Sequence, residues 1–276
     1  MSESQPKIRI RQATAADVPA IADIGFRAFA NEPIDAHWFP FKGKYPQDYH
    51  RAIADEASMR MVTPGHVIMV AEIGEEADQV VVVAAAAAGT REISSVNEVQ
   101  HQGSEQGSKA AVVAYAAFVK YGSAPEDLAR WNPDSGAMKV QRAIFHMKSF
   151  ITSKMRPNRA IDEDTINRYF EQATSTYMQH LSPGQRAWID CRGLAVDPEY
   201  QRRGYGEKLI RWAGDAAKRE GVPIFGDSTA TGLPLYLKNG AVQIGRVELP
   251  ARMVERKGGE KVSLNGVDAV LLKWQG

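Results

Sequence analysis

Hydrophobic positions in the C-terminal half of the chain switch between the period of a strand and that of a helix. Residues 188–196 are mostly apolar and predict a strand, and residues 204–220 carry apolar side chains at helical spacing. The pattern then predicts a strand over 223–227, a helix over Leu233–Lys238, and closing strands over Val242–Leu249 and 268–274. This strand–helix order predicts an α/β fold.

The N-terminal part begins with the same two periods. Residues 8–11 alternate and predict a short strand, after which Thr14 and Asp17 have the spacing of a capping box at the start of a helix. A second helix is predicted to start at Pro46, and residues 67–73 predict a buried strand.

Two apolar runs, residues 80–88 and 112–121, compete for the next place in the sheet. The second run contains aromatic side chains, so it has the better claim to be the core strand. Between them, residues 90–110 are rich in Ser, Gln, Glu and Gly, which predicts a mobile loop.

Residues 138–182 are predicted to form a helical insertion before the strand at 188–196. Two amphipathic helices are marked by apolar positions at Val140, Ile144, Met147 and Ile151 and at Ile166, Tyr169, Phe170, Ala173, Tyr177 and Leu181. We expect both helices to cover the sheet. A binding module built on them is the alternative.

Composition limits the classes of partner. The 276 residues suit a single domain over 1–276, and the formal net charge of +1 gives no global field for nucleic acid or an anionic membrane. Cys191 is the one cysteine, so an internal disulfide is excluded and a reducing, cytoplasmic location is expected. The N-terminal residues show no secretory pattern.

The most informative stretch is residues 194–206, with the sequence LAVDPEYQRRGYG. An apolar strand ends at Val196, and Gly204 and Gly206 lead directly into a helix. Glycines let backbone N–H groups approach a ligand, and a helix N-terminus adds partial positive charge. The stretch therefore predicts an anion site suited to a pyrophosphate, although the glycine spacing by itself also fits an ordinary turn.

Two motifs in this region resemble those of one family. Residues 201–206, QRRGYG, follow the strand as the cofactor motif Gln/Arg-x-x-Gly-x-Gly/Ala does in the GNAT superfamily of N-acetyltransferases. Residues 234–241, PLYLKNGA, resemble that family's second signature, Leu-Tyr-x-Lys-x-Gly-Phe, with Ala241 in place of Phe. The resemblance covers residues 188–244. It implies a mixed, mostly antiparallel central sheet flanked by helices.

The same resemblance implies acetyl-CoA as the donor and assigns candidate residues. The strand before the loop would separate from its neighbour, and a freed backbone N–H, that of Val196, would bind the thioester carbonyl. Tyr236 occupies the family's tyrosine position and would protonate the leaving thiolate, since a phenol stays protonated near neutral pH. The cofactor-binding candidates are Leu194, Ala195, Val196, Gln201, Arg202, Arg203, Gly204, Tyr205, Gly206 and Ser228.

Asp190 is the candidate base. It lies eleven residues before Gln201, where several members of the resembled family carry a catalytic glutamate. Strand alternation places Asp190, Arg192, Leu194 and Val196 on one face and Cys191 on the other. A structural ion pair between Asp190 and Arg192 is the alternative. On this pattern Cys191 lies on the wrong face for a covalent route, and we expect it to be a small buried hydrophobe. Ser228 has an alternative role as a helix cap.

Other chemistries lack their motifs. Residues 103–109 have the wrong spacing for a phosphate-binding Walker loop, and residues 204–210 lack the third glycine of a dinucleotide fingerprint. No metal is expected, because close ligand spacing is absent among the six histidines, which are His37, His50, His66, His101, His146 and His180.

The sequence therefore predicts an acetyl-CoA-dependent N-acetyltransferase. A noncatalytic acyl-CoA-binding or sensory module with the same fold is the alternative. The expected acceptor is a small-molecule amine first and a protein amine second, with no nucleic acid and no membrane as partner. The sequence leaves the oligomeric state open.

Overall fold

The computed structural model describes residues 7–74, 110–122, 124–256 and 258–275. The strands are β1 (Lys7–Gln12), β2 (His66–Gly74), β3 (Ala111–Tyr121), β4 (Trp188–Val196), β5 (Ile224–Ser228), β6 (Val242–Leu249), β7 (Arg252–Glu255), β8 (Lys261–Leu264) and β9 (Val267–Trp274). The helices are α1 (Val18–Ala28), α2 (Pro33–Trp38), α3 (Pro46–Met61), α4 (Pro125–Trp131), α5 (Gly136–Met155), α6 (Glu163–Gln179), α7 (Tyr205–Glu220) and α8 (Leu233–Lys238).

Seven strands form one central sheet in the order β1-β2-β3-β4-β5-β9-β6. Neighbouring strands run antiparallel except for β4 and β5, which are parallel. The α7 helix connects these two strands, as a parallel pair requires. Strands β7 and β8 form a separate hairpin. The predicted α/β fold with a mixed, mostly antiparallel sheet is confirmed.

Helices cover both faces of the sheet and enclose its core. On one face, called the α7 face, β-strand side chains pack against Leu209, Ile210 and Ala213 of α7. On the other, called the α6 face, α6 packs against β5, β6 and β9, while α1 and α3 cover β2 and β3. The site described below lies where these two layers meet β4 and β5.

The N-terminal elements follow from their local sequence as predicted. The Asp17 carboxylate accepts a hydrogen bond from the Thr14 backbone N–H at 2.7 Å, which completes the capping box before α1. Helix α3 starts at Pro46 and ends at Met61. A proline in the first turn has no N–H to leave unpaired, so it suits a helix start.

The third strand of the sheet is formed by the second of the two apolar runs, that of residues 112–121. Strand β3 pairs with β2 on one side and β4 on the other, so it lies in the middle of the sheet. Residues 80–88 and nearly all of the loop predicted at 90–110 lie outside the described residues.

The two helices of the predicted insertion behave differently. Helix α6 buries Tyr169, Ala173 and Tyr177 against the sheet, as expected. The expectation that both helices cover the sheet is wrong for α5, in which no residue is buried. Its apolar stripe is open, with Val140 58% and Met147 63% exposed. Periodicity reveals an apolar face but not what that face contacts.

Short elements were missed by the sequence pattern. The short helices α2 and α4, of six and seven residues, both begin at a proline, at Pro33 and Pro125, and are too short to show helical periodicity. The β7–β8 hairpin lies between the two closing strands and has its turn at Gly258 and Gly259. Its four-residue strands carry too few apolar side chains to mark them.

Candidate functional site

Strands β4 and β5 separate within the sheet. Strand β4 pairs with β3 along its whole length, from Trp188 to Val196. Its register with β5 includes Ile189, Asp190 and Cys191 and ends at the pair formed by Cys191 and Gly226. Beyond that pair a gap opens, bordered by the C-terminal half of β4 and the end of β5. We call it the strand gap.

Backbone groups of β4 point into the strand gap. The Asp197 N–H donates to the Val113 carbonyl of β3 at 2.9 Å. Because successive N–H groups of a strand point to opposite edges, those of Val196 and Leu194 are directed away from β3. The Val196 carbonyl points the same way and accepts a hydrogen bond from Gln201 Nε2 at 3.2 Å. Two fixed donors therefore face the strand gap.

The loop after β4 turns sharply into α7. Arg202 has φ 62° and Gly204 has φ 83°, so the chain adopts the left-handed conformation at both. Glycine is suited to this conformation at position 204, the N-cap of α7. The first N–H groups of the 16-residue α7 have no partner within the helix. They point toward the exposed loop in which the anion site is predicted, and that assignment stays a prediction.

Gly206 brings the start of α7 close to two other elements. A Cβ at this position would lie 3.1 Å from Leu235 Cδ2 of α8 and 3.3 Å from Leu194 Cδ2 of β4. Any side chain here would push the helix away from the strand gap. Tyr205 is buried beside it and packs in the core on the α7 face.

The two arginines of the loop are exposed. Arg203 donates to the Glu199 carbonyl at 3.0 Å and lies over the Tyr200 ring at 5.2 Å. Arg202 sits next to it at the tip of the turn. Both guanidinium groups add positive charge to the rim of the anion site, where solvent screens them.

Tyr236 lies on the α7 face of the strand gap. Its side chain is 6% exposed, and its hydroxyl oxygen is 4.0 Å from Cys191 Sγ. Burial raises the pKa of Tyr236 well above its usual range, so the phenol is protonated at neutral pH. A proton is therefore present on this hydroxyl at neutral pH.

A β-bulge overturns the predicted alternation along β4. Ala117 of β3 pairs with Gly193 and Phe118 with Cys191, so Arg192 is an extra residue in β4. The prediction that Asp190, Arg192, Leu194 and Val196 share one face is therefore wrong. Leu194 and Val196 pack on the α7 face together with Cys191.

Cys191 consequently lies on the same face as Tyr236, and its predicted placement on the wrong face is not correct. It is 3% exposed, and burial raises the pKa of its thiol to about 12. Because the thiolate is the nucleophilic form, this shift disfavours a covalent route. The expectation that Cys191 is a small buried hydrophobe agrees with its place in the core.

Asp190 and Arg192 form an ion pair on the α6 face. Arg192 Nε is 2.8 Å from Asp190 Oδ2, and the Asp190 side chain is almost fully buried. Burial raises the pKa of Asp190 to about 6, against the opposing effect of Arg192. The guanidinium also donates to the Tyr121 hydroxyl and lies over the Phe170 ring at 4.1 Å. The structural alternative for Asp190 is thus present, and its role as a base stays a prediction.

Ser228 ends β5 in a buried position. Its hydroxyl donates to the Thr229 carbonyl at 2.9 Å. Helix α8 has Gly232 as its N-cap and no side-chain cap hydrogen bond. Ser228 is therefore not the cap of that helix, and contact with the cofactor stays a prediction. A Cβ at Gly232 would come within 2.8 Å of the Ser228 hydroxyl, so the two residues are tightly packed.

Asp227 and Tyr169 were not recognised as site residues from the sequence. Asp227 follows Gly226, the last β5 residue paired with β4, and burial raises the pKa of its carboxyl. Tyr169 of α6 lies close enough for Asp227 to raise the pKa of its phenol further. Strand alternation from Phe225 could have placed Asp227 on the α6 face, but no motif marks it.

Neither a metal-ligand cluster nor a membrane-spanning helix is present among the described residues. Residues 7–74, 110–122, 124–256 and 258–275 contain no group of three His, Cys, Asp or Glu side chains arranged to hold a metal ion. Within the same ranges, none of the helices has the length and apolar character needed to cross a membrane.

Comparison with known proteins identifies the family of the site. The family model described as acetyltransferase (GNAT) domain matches residues 169–240, which extend from within α6 to just after α8. A protein of Stachybotrys chartarum named acetyltransferase is 23% identical over 248 residues, which is 89% of this chain and 85% of that protein. The resemblance found in the two motifs is thereby confirmed.

Two solved structures align with nearly the whole chain at low sequence identity. A histone acetyltransferase HPA2 and related acetyltransferase from Corynebacterium glutamicum has a TM-score of 0.49 and 13% identity, covering 97% of this chain and 96% of its own. A polyamine N-acetyltransferase from Drosophila melanogaster, which forms N-acetylagmatine, has a TM-score of 0.46 and 13% identity. It covers 98% of this chain and 100% of its own.

Proposed function

The chain carries a GNAT acetyltransferase domain, and from this premise we propose that it transfers the acetyl group of acetyl-CoA to an amine. The amine nitrogen attacks the thioester carbonyl carbon directly, and the carbon–sulfur bond breaks. The products are an amide and the free thiol of CoA. A reducing, cytoplasmic location remains the expectation drawn from the single cysteine.

The donor is proposed to bind along β4, with its pyrophosphate at the start of α7. The exposed turn at Arg202 and Gly204 and the free N–H groups of α7 support this placement, since both favour an anion. The N–H groups of Leu194, Ala195 and Val196 are the candidates for the pantetheine arm and the thioester carbonyl. Those of Leu194 and Val196 face the strand gap, where fixed donors stabilise an oxyanion without reorganisation.

Tyr236 is proposed as the general acid, and its position is the observation on which the proposed function rests most. The hydroxyl lies at the strand gap beside Cys191, and its raised pKa keeps it protonated. A thiolate leaving toward the α7 face would take its proton from this phenol. A module that only binds acyl-CoA has no need of an acid at this place.

Asp190 is the candidate base for the amine proton. With a pKa of about 6, its carboxylate is ionised at neutral pH and can accept a proton. Its ion pair with Arg192 and its burial mean that a bridging water would have to carry the proton. We place a small-molecule amine before a protein amine as acceptor, because the Asp190 carboxylate is buried.

The proposal is tested by titrating the protein with acetyl-CoA and then measuring thiol release with a panel of amines. Saturable binding and amine-dependent thiol release support an acetyltransferase. Binding without thiol release for any amine would instead identify the noncatalytic acyl-CoA-binding module. No binding of acetyl-CoA would contradict both functions.

A further inference from the structure

Asp227 occupies the α6-face side of the strand gap. Phe225, two residues earlier, stacks on Tyr177 of α6 with ring centroids 4.9 Å apart, so Asp227 faces the same helix. Gly226, between them, is the last β5 residue paired with β4. Asp227 is thus the first β5 residue at the open gap, and it is partly exposed whereas Asp190 is 3% exposed.

The charges around Asp227 are not balanced. Arg192 is committed to Asp190, at 2.8 Å from Nε to Oδ2, and to the Tyr121 hydroxyl. Asp227 has no ion-pair partner within 4.0 Å among the residues that the structure describes. Arg60, which also acts on Asp190, is held by Glu56. The α6 face of the strand gap therefore holds two carboxyl groups and one guanidinium, and the Asp227 carboxyl is the one without a cationic partner.

A buried hydroxyl without a partner points to the same place. Tyr169 is 1% exposed, and its hydroxyl makes no hydrogen bond within the described part of the chain. Burial raises the pKa of the Tyr169 phenol well above its usual range, and the nearby Asp227 carboxylate raises it further. A buried polar group is normally paired, and a ligand that donates hydrogen bonds at this place would pair both the Asp227 carboxylate and the Tyr169 hydroxyl, which can accept as well as donate.

We infer that Asp227 is the residue that binds the acceptor, and that the acceptor is an amine that reaches the strand gap as a cation from the α6 face. An ammonium group supplies that cationic partner and donates to both the Asp227 carboxylate and the Tyr169 hydroxyl. This inference rests on the proposed function.

The arrangement places the two reaction partners on opposite sides of the sheet. Asp227 holds the amine on the α6 face, and Tyr236 stands on the α7 face toward which the thiolate leaves. The bound ammonium first loses one proton to the candidate base Asp190 through water, and the lone pair of the neutral amine then attacks the thioester carbon. The carbon–sulfur bond breaks as Tyr236 donates its proton to sulfur. The nitrogen loses its second proton to solvent, which leaves a neutral amide, and the tyrosinate takes a proton back from solvent. The amine thus approaches the thioester from the α6 face and the thiolate leaves toward the α7 face, so the strand gap orients the two partners.

The test compares cationic and neutral acceptors in the Asp227→Asn variant. For 1,4-diaminobutane and 2-phenylethylamine, the KM should rise about tenfold to a hundredfold, because a recessed charge loses its partner. The KM for acetyl-CoA should stay unchanged. Hydroxylamine is mostly uncharged near neutral pH, so its kinetics should change little. An equal loss for hydroxylamine and the amines, or no loss for either, would overturn the inference.

A matched control and a binding measurement complete the test. Asp268→Asn makes the same substitution at the exposed carboxylate that faces Arg246, and it should leave all KM values unchanged. Calorimetry measures 1,4-diaminobutane binding to the folded CoA complex without turnover. Binding to wild type that is lost in Asp227→Asn supports the inference, whereas equal binding or none overturns it. A wild type that binds the diamine but transfers no acetyl group contradicts the proposed function alone.

Discussion

The two faces of the sheet differ at the strand gap. The α7 face is apolar around Tyr236 and Cys191, apart from one phenol and one thiol. The α6 face holds the Asp190 and Arg192 ion pair and Asp227. A protonated acid on one face and carboxylates on the other suit the two proton transfers that an acetyl transfer needs. The difference supports the proposal that donor and acceptor approach from opposite sides.

The largest expected effect comes from the α7 face. Tyr236→Phe removes only the hydroxyl, so packing and acetyl-CoA binding should persist, while kcat should fall by about 10²–10⁴. The loss belongs to kcat more than KM because the proton is needed only as the carbon–sulfur bond breaks. Steady-state kinetics measure both. Tyr49→Phe is the control, since Tyr49 is an equally buried tyrosine of α3 away from the strand gap. An unchanged kcat, with chemistry limiting, would make Tyr236 a packed aromatic only.

The next effect concerns the anion site at the start of α7. Gly204→Glu places a carboxylate where a pyrophosphate would bind, and the Kd for acetyl-CoA should rise by about a hundredfold or more. Gly221→Glu is a matched control at the other end of the same helix. Both glycines have positive φ, 83° and 64°, and open space around Cβ, so the backbone strain is shared. Calorimetry that finds equal losses in both variants would refute the assignment of the loop.

A smaller effect distinguishes the two roles of Asp190. If Asp190 is the base, the wild-type rate should rise with pH through about 6, because the base must be deprotonated to act. Asp190→Asn should abolish this rise and lower the rate about tenfold to a hundredfold above pH 6, with little loss below it. A pH–rate profile checks the result. The same rise in the variant would leave Asp190 as the charge partner of Arg192.

The smallest effect concerns the exposed arginines beside the anion site. Arg203→Ala should raise the Kd for acetyl-CoA by only about two- to fivefold, since solvent screens the guanidinium. Raising the salt concentration should weaken wild-type binding and reduce the difference between the two proteins. A loss as large as that of Gly204→Glu would show that charge, rather than backbone geometry, dominates the anion site.

The α7 face could be predicted because its parts are local in sequence. Residues 194–206 contain the strand end, the turn and the helix start, and Tyr236 lies in a second short motif. Each part has a chemical reason that can be read from residue types alone, such as glycine where φ is positive. The order of the central strands and helices could be predicted as well, because long segments such as α7 show a clear hydrophobic periodicity.

The α6 face could not be predicted, because it combines distant segments. The bulge at Arg192 depends on the pairing of β4 with β3, and it reverses the faces of Leu194 and Val196. Asp227 reaches the strand gap only because β5 separates from β4 at that residue. Tyr169 lies on α6, which is distant from β5 in sequence. The exposed stripe of α5 shows the same limit, since periodicity does not identify the surface that a helix contacts.

The most direct test of the central claim is the ratio of acetylated amine to free CoA thiol formed in one reaction. Mass spectrometry measures the amide and a thiol reagent measures CoA, both after incubation of the protein with acetyl-CoA and 2-phenylethylamine. The account predicts one acetylated amine for each thiol released, with the amide absent when protein is omitted. Thiol released without acetylated amine would reveal hydrolysis instead of transfer and would contradict the account.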